Sequence, residues 1–343
     1  MHNSNTNKNV LITGGVGFIG TNAALKIAQQ GWQVTVVDNF SRTGVELNHK
    51  TLQQANSLIQ VIKADVQDVP RYLDDLKKAD LVIHLAGQTA VTSSIKNPWH
   101  DFENNLLAGV SLLEAVRLHN PEAVMFFAST NKVYGDLSEH ELKKNEATQR
   151  YENLSFPEGI DEQQRLEFIS PYGCSKGSLD QYFLDFARIY GLKTVVFRQS
   201  CIYGPHQMGV EDQGWVAHFV KLILQCQPLT IFGDGYQVRD LLYVDDLLEA
   251  YLLAFRQINQ VQGEAFNIGG GPAQAVSLLN LIKQTEDLTG IQTQILFKDA
   301  RAGDQLYFVS DNSKLKKKLG WEPTTQLEDG LQSLIQWQQE NII

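Results

Sequence analysis

The sequence predicts an α/β protein: a doubly wound parallel sheet with helices on both faces, plus a smaller mixed α/β carboxy-terminal lobe. Three observations predict it. Short, continuous apolar runs alternate with helix-length amphipathic stretches over the first 200 residues. A glycine-rich turn follows the first apolar run and opens a helix. After about residue 200 the texture changes and turn signals cluster. Continuous apolar strands separated by helices mark a parallel sheet buried on both faces. Its crossovers are expected to be right-handed.

Residues 10–12 read as the first strand, followed by the glycine turn and a helix over 21–30. Residues 33–37 form the second strand, ending at Asp38, and 59–63 the third, ending at Asp65. The fourth, fifth and sixth strands fall at 81–85, 124–128 and 194–198, with helices at 106–119 and 178–190 between them. Beyond residue 200, turns are written at Tyr203-Gly204-Pro205, Phe232-Gly233-Asp234-Gly235 and Gly269-Gly270-Gly271-Pro272. Helices are expected there at 215–225, 244–257 and 277–289. This divides the chain into a first domain over 1–200 and a second lobe over 201–343, partly interleaved. The polar, charge-rich stretch 139–170 reads as a long surface insertion in the first domain, and loops of that length are more often functional than idle.

A chain of 343 residues is long enough for a sizeable core and more than one lobe. Its net charge of -10 argues against a nucleic-acid partner, which needs a basic face. A phosphate-bearing small ligand stays possible, because a few local donors suffice. Cys174, Cys201 and Cys226 are odd in number and lack C-x-x-C spacing, so neither a disulfide framework nor a metal site is expected. A reducing cytoplasm is the natural setting. The polar start lacks the apolar core of a signal peptide. No apolar run approaches the roughly 18 residues that span a bilayer, so no membrane association is expected.

The run Thr13-Gly14-Gly15-Val16-Gly17-Phe18-Ile19-Gly20 joins a strand to a helix. Glycines at 14, 17 and 20 permit backbone angles that a Cβ would hinder and let a pyrophosphate come close. The helix amino terminus adds free N–H groups and its positive dipole end. In this strand–turn–helix context the pattern reads as a Rossmann dinucleotide site over Gly14, Gly17, Phe18, Ile19 and Gly20. Asp38 ends the next strand, where a carboxylate accepts from the adenosine ribose and repels a 2′-phosphate. That favours NAD over NADP, although the nearby Arg42 is of the kind that accommodates such a phosphate. Asn39 and Ser41 join this rim. Asp65 and Val66 are placed to meet the adenine. Leu85, Ala86 and Gly87, with Gln88 and Asn105, are expected along the cofactor's path. His84 reads as a packed strand residue.

Ser170-Pro171-Tyr172-Gly173-Cys174-Ser175-Lys176 contains Tyr-x-x-x-Lys, with Pro171 suited to a helix's first turn. Tyr172 and Lys176 then share a helix face. A free phenol, with a pKa of about 10, is a poor base at neutral pH. A neighbouring ammonium favours the phenolate. Tyr172 is the candidate proton acceptor, and Lys176 its partner and a holder of the cofactor.

These pieces together resemble the extended short-chain dehydrogenase/reductase family, which acts on nucleotide sugars. The resemblance rests on 13–20, His84-Leu85-Ala86-Gly87, Ser129-Thr130 with Val133-Tyr134-Gly135, 172–176, Tyr203-Gly204-Pro205, and Arg239-Asp240 with Val244-Asp245-Asp246. It implies that Thr130 takes the catalytic Ser/Thr place beside Tyr172 and Lys176. It also implies recycled NAD, a nucleotide-diphosphate sugar as substrate, and a homodimer or homotetramer built through the helices at 106–119 and 178–190.

Sugar 4,6-dehydratases of the family place Asp-Glu after the catalytic Thr. Here Asn131-Lys132 follows, which favours redox-neutral epimerisation. The runs 129–136, 170–177, Asp180-Gln181-Tyr182, 213–216 and 237–240 are similar to those of the CDP-paratose/CDP-tyvelose 2-epimerases. That resemblance implies transient oxidation at C2, turning of the keto sugar and re-reduction. Cys201 replaces an Asn that commonly touches substrate phosphate in the wider family. Substrate candidates are Gln88, Thr130, Asn131, Ser200 and Val216, with Phe232 for the base and Arg239 and Arg301 for the diphosphate. The alternatives are a UDP-hexose 4-epimerase and, from another class, a non-catalytic NAD-sensing protein.

Overall fold

The computed structural model describes residues 7–300 and 304–342. The strands, in chain order, are β1 (Asn9–Thr13), β2 (Gln33–Asp38), β3 (Ile59–Lys63), β4 (Leu81–His84), β5 (Val124–Thr130), β6 (Leu142–Asn145), β7 (Arg150–Asn153), β8 (Lys193–Gln199), β9 (Cys201–Tyr203), β10 (Leu229–Phe232), β11 (Val238–Tyr243), β12 (Glu264–Ile268), β13 (Ala275–Ser277), β14 (Ile295–Lys298) and β15 (Tyr307–Phe308). Seven of them form one sheet in the order β12-β8-β5-β4-β1-β2-β3. All its pairings are parallel.

The central strands are nearly free of polar side chains because both sheet faces are covered. Helices Phe18–Gln29, Val45–Ala55 and Val244–Arg256 bury Ala23, Ile27, Leu52, Leu247 and Tyr251 on one face. Helices Ala108–His119 and Ser170–Tyr190 bury Leu112, Val116, Leu179 and Phe183 on the other. From β1 the chain builds outward through β2 and β3, then crosses to β4 and builds the other way. The crevice between the carboxyl ends of β1 and β4 is therefore a topological switch point, where ligands of such sheets bind.

The second lobe centres on β11, which pairs with β13 antiparallel and with β9 and β15 parallel. Helices Trp215–Leu224, Leu278–Thr289 and Leu327–Asn341 pack over it. The chain also returns to the first lobe after residue 200. β12 is the sheet's edge strand, helix Val244–Arg256 lies against helix Phe18–Gln29, and helix Ser313–Leu319 packs on β12. No single cut at residue 200 separates two compact units.

Two local differences from the sequence reading matter for the site. The helical run expected from 106 starts at Pro98, as Pro98–Phe102, and continues through a π turn, Glu103–Leu107, into Ala108–His119. The Asn97 side chain caps its start, accepting from His100 N at 3.1 Å. Asp101, Glu103, Asn104 and Asn105 interrupt the apolar period and hide this stretch from a periodicity reading. The 139–170 segment is not wholly on the surface. It contains the β6–β7 hairpin, and Ile160 is fully buried with its N–H on Val309 O at 2.7 Å. Among the described residues no helix is long and apolar enough to cross a membrane.

Candidate active site

The three glycines of the turn do different work. Gly14 has φ +68°, and a Cβ there would lie 2.6 Å from Ala86 N, so the turn touches the end of β4. At Gly20 a Cβ would lie 2.4 Å from Gly15 Cα, which packs the helix onto its own entry. Gly17 meets only Gly14 O, at 3.1 Å. Its outer side is open, and it caps a helix whose first N–H groups, at Phe18, Ile19 and Gly20, have no intrahelical acceptor. This cradle fits a dinucleotide pyrophosphate.

Asp38 is held at the rim, accepting from Val16 N at 3.0 Å and Phe40 N at 2.8 Å. Burial pushes its carboxyl above the usual range, opposed by those N–H groups and by Arg42. Asn39 donates to Asp65 at 2.9 Å, and Ser41 N donates to Asn39 Oδ1 at 3.0 Å. The β2 and β3 ends thus form one linked edge, with Val66 buried behind it. Arg42 reaches across to the Gln213 side chain in the second lobe.

Across the switch point, Asn105 sits on the π turn, a feature frequent at functional sites. Its Nδ2 donates to Gln88 O at 3.0 Å and to Asp101 Oδ1 at 2.9 Å. A Cβ on Gly87 would lie 2.4 Å from Asn105 Oδ1. The side-chain oxygens of Gln88 and Asn105, and one of Asp101, are buried without a partner. Such atoms are costly unless a ligand meets them. Leu85 and Ala86, half-buried, lie between this edge and the glycine turn. His84 is neutral and structural: Nδ1 pairs with Thr13 Oγ1 at 2.8 Å, and burial pulls the ring down to about 3.

Thr130, Tyr172 and Lys176 converge at the end of β5. Thr130 caps the 3-10 turn Asn131–Tyr134, and its Oγ1 lies 3.3 Å from both Lys132 N and Asn131 Oδ1. Tyr172 is buried at the amino end of helix Ser170–Tyr190, its N–H bonded to Ser94 Oγ at 3.2 Å. Burial pushes the phenol up to about 12, opposed by its hydrogen bond with Thr130. Desolvation here opposes the lowering expected from the Lys176 ammonium together with a positive nicotinamide ring. Burial pulls the Lys176 ammonium down to about 7, while Asp101 and then Asp180 push it back up. The ammonium lies 4.2 Å from the Phe127 ring centroid. Arg198 holds Asp180 by two bonds of 2.9 Å, and Ser129 Oγ adds a third at 2.9 Å. This buried pair pins the helix carrying Tyr172 to β5 and β8.

Toward the second lobe, Asn131 Nδ2 donates to Gln305 Oε1 at 3.2 Å. Arg239 donates to Asp304 at 2.9 Å and to Gln305 O at 2.7 Å. The structure does not bring every candidate together in this way. The Ser200 hydroxyl is committed to Asp240, and the Val216 side chain packs in the second lobe's core. Phe232 ends β10 with the Lys298 ammonium 5.7 Å from its ring centroid. Arg301 lies outside the described residues. Periodicity and motif spacing missed Asp101, Asn22 and Asn48. Asn22 and Asn48 tie the 205–206 loop to the glycine turn by bonds of 2.9 Å to Pro205 O and 3.1 Å to His206 O.

Residues 10–269 match the NAD dependent epimerase/dehydratase family. A relative from Salmonella typhi, CDP-paratose 2-epimerase, is 42% identical over 96% of this chain and 98% of its own. The solved UDP-glucose 4-epimerase of Thermotoga maritima, in complex with UDP-glucose, is 33% identical with a TM-score of 0.83, covering 98% of this chain and 100% of that one. The UDP-glucuronic acid 4-epimerase of Bacillus cereus, solved with UDP-glucuronic acid and NAD, is 28% identical with a TM-score of 0.83, covering 97% and 99%.

Proposed function

The chain belongs to the NAD-dependent epimerase/dehydratase family, and on that premise we propose that it is a CDP-sugar 2-epimerase interconverting CDP-paratose and CDP-tyvelose. The similarity to CDP-paratose 2-epimerase supports the choice of sugar and carbon, and the observation that carries epimerisation is the pair of side chains after Thr130. They are an amide and an ammonium, Asn131 and Lys132. Elimination of water needs an additional carboxylic acid and base at the sugar, whereas epimerisation needs one proton acceptor that later returns its proton.

Gly17 and the first-turn N–H groups would hold the cofactor's pyrophosphate, Asp38 the adenosine ribose, and Lys176 with Asn105 the nicotinamide end. Bound NAD would supply a reversible hydride acceptor. Tyr172 takes the proton of the C2 hydroxyl and gives it back, with Thr130 as its hydrogen-bond partner. Thr130 and Asn131 orient the reacting carbon, which is chiefly a positioning effect. Arg239 grips the diphosphate. The sugar itself is held loosely enough to turn over while the nucleotide stays anchored.

The test is incubation with CDP-, UDP- and GDP-sugars without added cofactor, followed by NMR. Inversion at C2 of CDP-paratose, with little UDP-hexose turnover, is expected; inversion at C4 alone overturns the reading. A cytoplasmic location goes with this substrate class. Exposed Trp99, Phe102, Leu107, Leu118, Tyr182 and Ile189 lie on helices Pro98–Phe102, Ala108–His119 and Ser170–Tyr190 and the π turn between the first two. An apolar face of this kind suits a homodimer, which sedimentation mass checks.

A further inference from the structure

The ammonium of Lys132 has no part in the proton transfer above. Its place in the fold is nevertheless tightly specified. The Lys132 N–H donates to Thr130 Oγ1 at 3.3 Å, which fixes its backbone beside the Thr130 hydroxyl. Its ammonium points to Asp304, 3.7 Å away, and Arg239 binds the same carboxylate at 2.9 Å. Two cations therefore converge on one carboxylate. Arg239 is further tied to the Val238 and Gln305 carbonyls, at 2.8 and 2.7 Å. Asp304 is the one ion-pair partner of Lys132 among the described residues.

Two positive groups held against one shared carboxylate repel each other, and one carboxylate balances only one of the two charges. Burial pulls the Lys132 ammonium down to about 8, and Arg239 pushes the same way. The unbalanced positive charge stands between Thr130 and the second lobe. An incoming anion is the balancing partner such a site lacks.

The position of that anion bears on which carbon reacts. C2 of a nucleotide sugar is bonded to the carbon that carries the diphosphate. C4 lies across the ring from it. Chemistry at C4 puts the whole ring between the phosphate and the phenol. Chemistry at C2 requires the sugar-bearing phosphate to come close to Thr130 and Tyr172. Lys132, on the turn that Thr130 caps, is the cation placed for that near position.

We propose that Lys132, with Arg239, binds the sugar-bearing phosphate beside Thr130 and thereby presents C2 rather than C4 to Tyr172. The choice of carbon rests on the 2-epimerase reading; the phosphate contact does not. Lys132 is thus a specificity-determining residue for the reaction.

The experiment compares NAD-loaded wild type with Lys132→Met, which removes the charge at similar length, and Lys132→Arg, which keeps it. Calorimetry with CDP and with CMP reads the phosphate contact, because CMP lacks the second phosphate. Lys132→Met is expected to weaken CDP about 10- to 100-fold, the loss of one charge-assisted hydrogen bond, with CMP affinity unchanged. Lys132→Arg is expected to restore most of the CDP affinity. NMR of the products is expected to show C2 inversion alone in the wild type and some C4 inversion in Lys132→Met. Unchanged CDP affinity in Lys132→Met, or equal losses for CDP and CMP, overturns the phosphate contact. Strict C2 inversion surviving a CDP loss overturns the control of regiochemistry. A wild type that binds CDP and inverts only C4 overturns the 2-epimerase reading instead, while the CDP and CMP series still tests Lys132.

Discussion

The two sides of the crevice are built on different terms. On the cofactor side, the groups at the pyrophosphate turn and the Tyr172–Lys176 pair stand close in sequence to the elements that position them. Gly14, Gly17 and Gly20 act through backbone geometry within one turn, and Tyr172 and Lys176 through one helical turn. On the substrate side, Lys132, Arg239, Asp304 and Gln305 come from three separate segments, joined by β11 pairing with β15 and by bonds from Asn131 to Gln305. The lesson is that a site for the constant part of a reaction can be written locally. A site that chooses the substrate is assembled from afar.

The comparison is tested most severely at Tyr172. Tyr172→Phe keeps the helix and the buried ring and removes the proton acceptor. Turnover is expected to fall about 10²- to 10⁴-fold, with NAD content and melting temperature unchanged. Surviving activity measured by NMR would remove Tyr172 from the chemistry.

A second prediction separates the glycines. Gly20→Ala forces a Cβ against backbone at 2.4 Å and is expected to cost about 1–3 kcal/mol of stability, read by chemical denaturation. Gly17→Ala has only the 3.1 Å contact to relieve, so it is expected to lose NAD affinity with a smaller stability change. Equal stability losses would show that Gly17 serves packing rather than the cofactor.

The smallest expected effect is at Asp101, the fully buried carboxylate that faces Lys176. Asp101 raises the pKa of both the Lys176 ammonium and the Tyr172 phenol. Asp101→Asn removes that negative charge, so the ammonium loses its proton, and the phenol ionises, at lower pH. Both limbs of the pH–rate profile are expected to move toward acid. The other ionisable groups around this space are His84, Asp180 with Arg198, and the exposed His100. A profile that stays in place would assign Asp101 a packing role only.

Much of the cofactor side was legible in the sequence because its signals are short-range. A strand, a glycine turn and a helix announce each other within a few residues, and Tyr172 and Lys176 share a face through helical period alone. The start of the Pro98–His119 run was not legible, because Asp101 and Asn105 break its apolar period. Those polar side chains are buried against partners from other segments, Asn105 against Gln88 and Asp101 against the helix of Lys176. Ser200 and Val216 looked like substrate residues by position, yet Asp240 and the core of the second lobe claim their side chains.

The sequence by itself determined the parallel sheet, the dinucleotide turn and the shared helix face of Tyr172 and Lys176. Each follows from period, from glycine's backbone freedom or from a fixed spacing. Only the tertiary structure decided that the phenol rests high at about 12, because desolvation depends on what surrounds the ring. Only the tertiary structure set Lys132 beside Arg239 and Asp304, because no rule of spacing relates residues 132, 239 and 304 until the second lobe folds against the first.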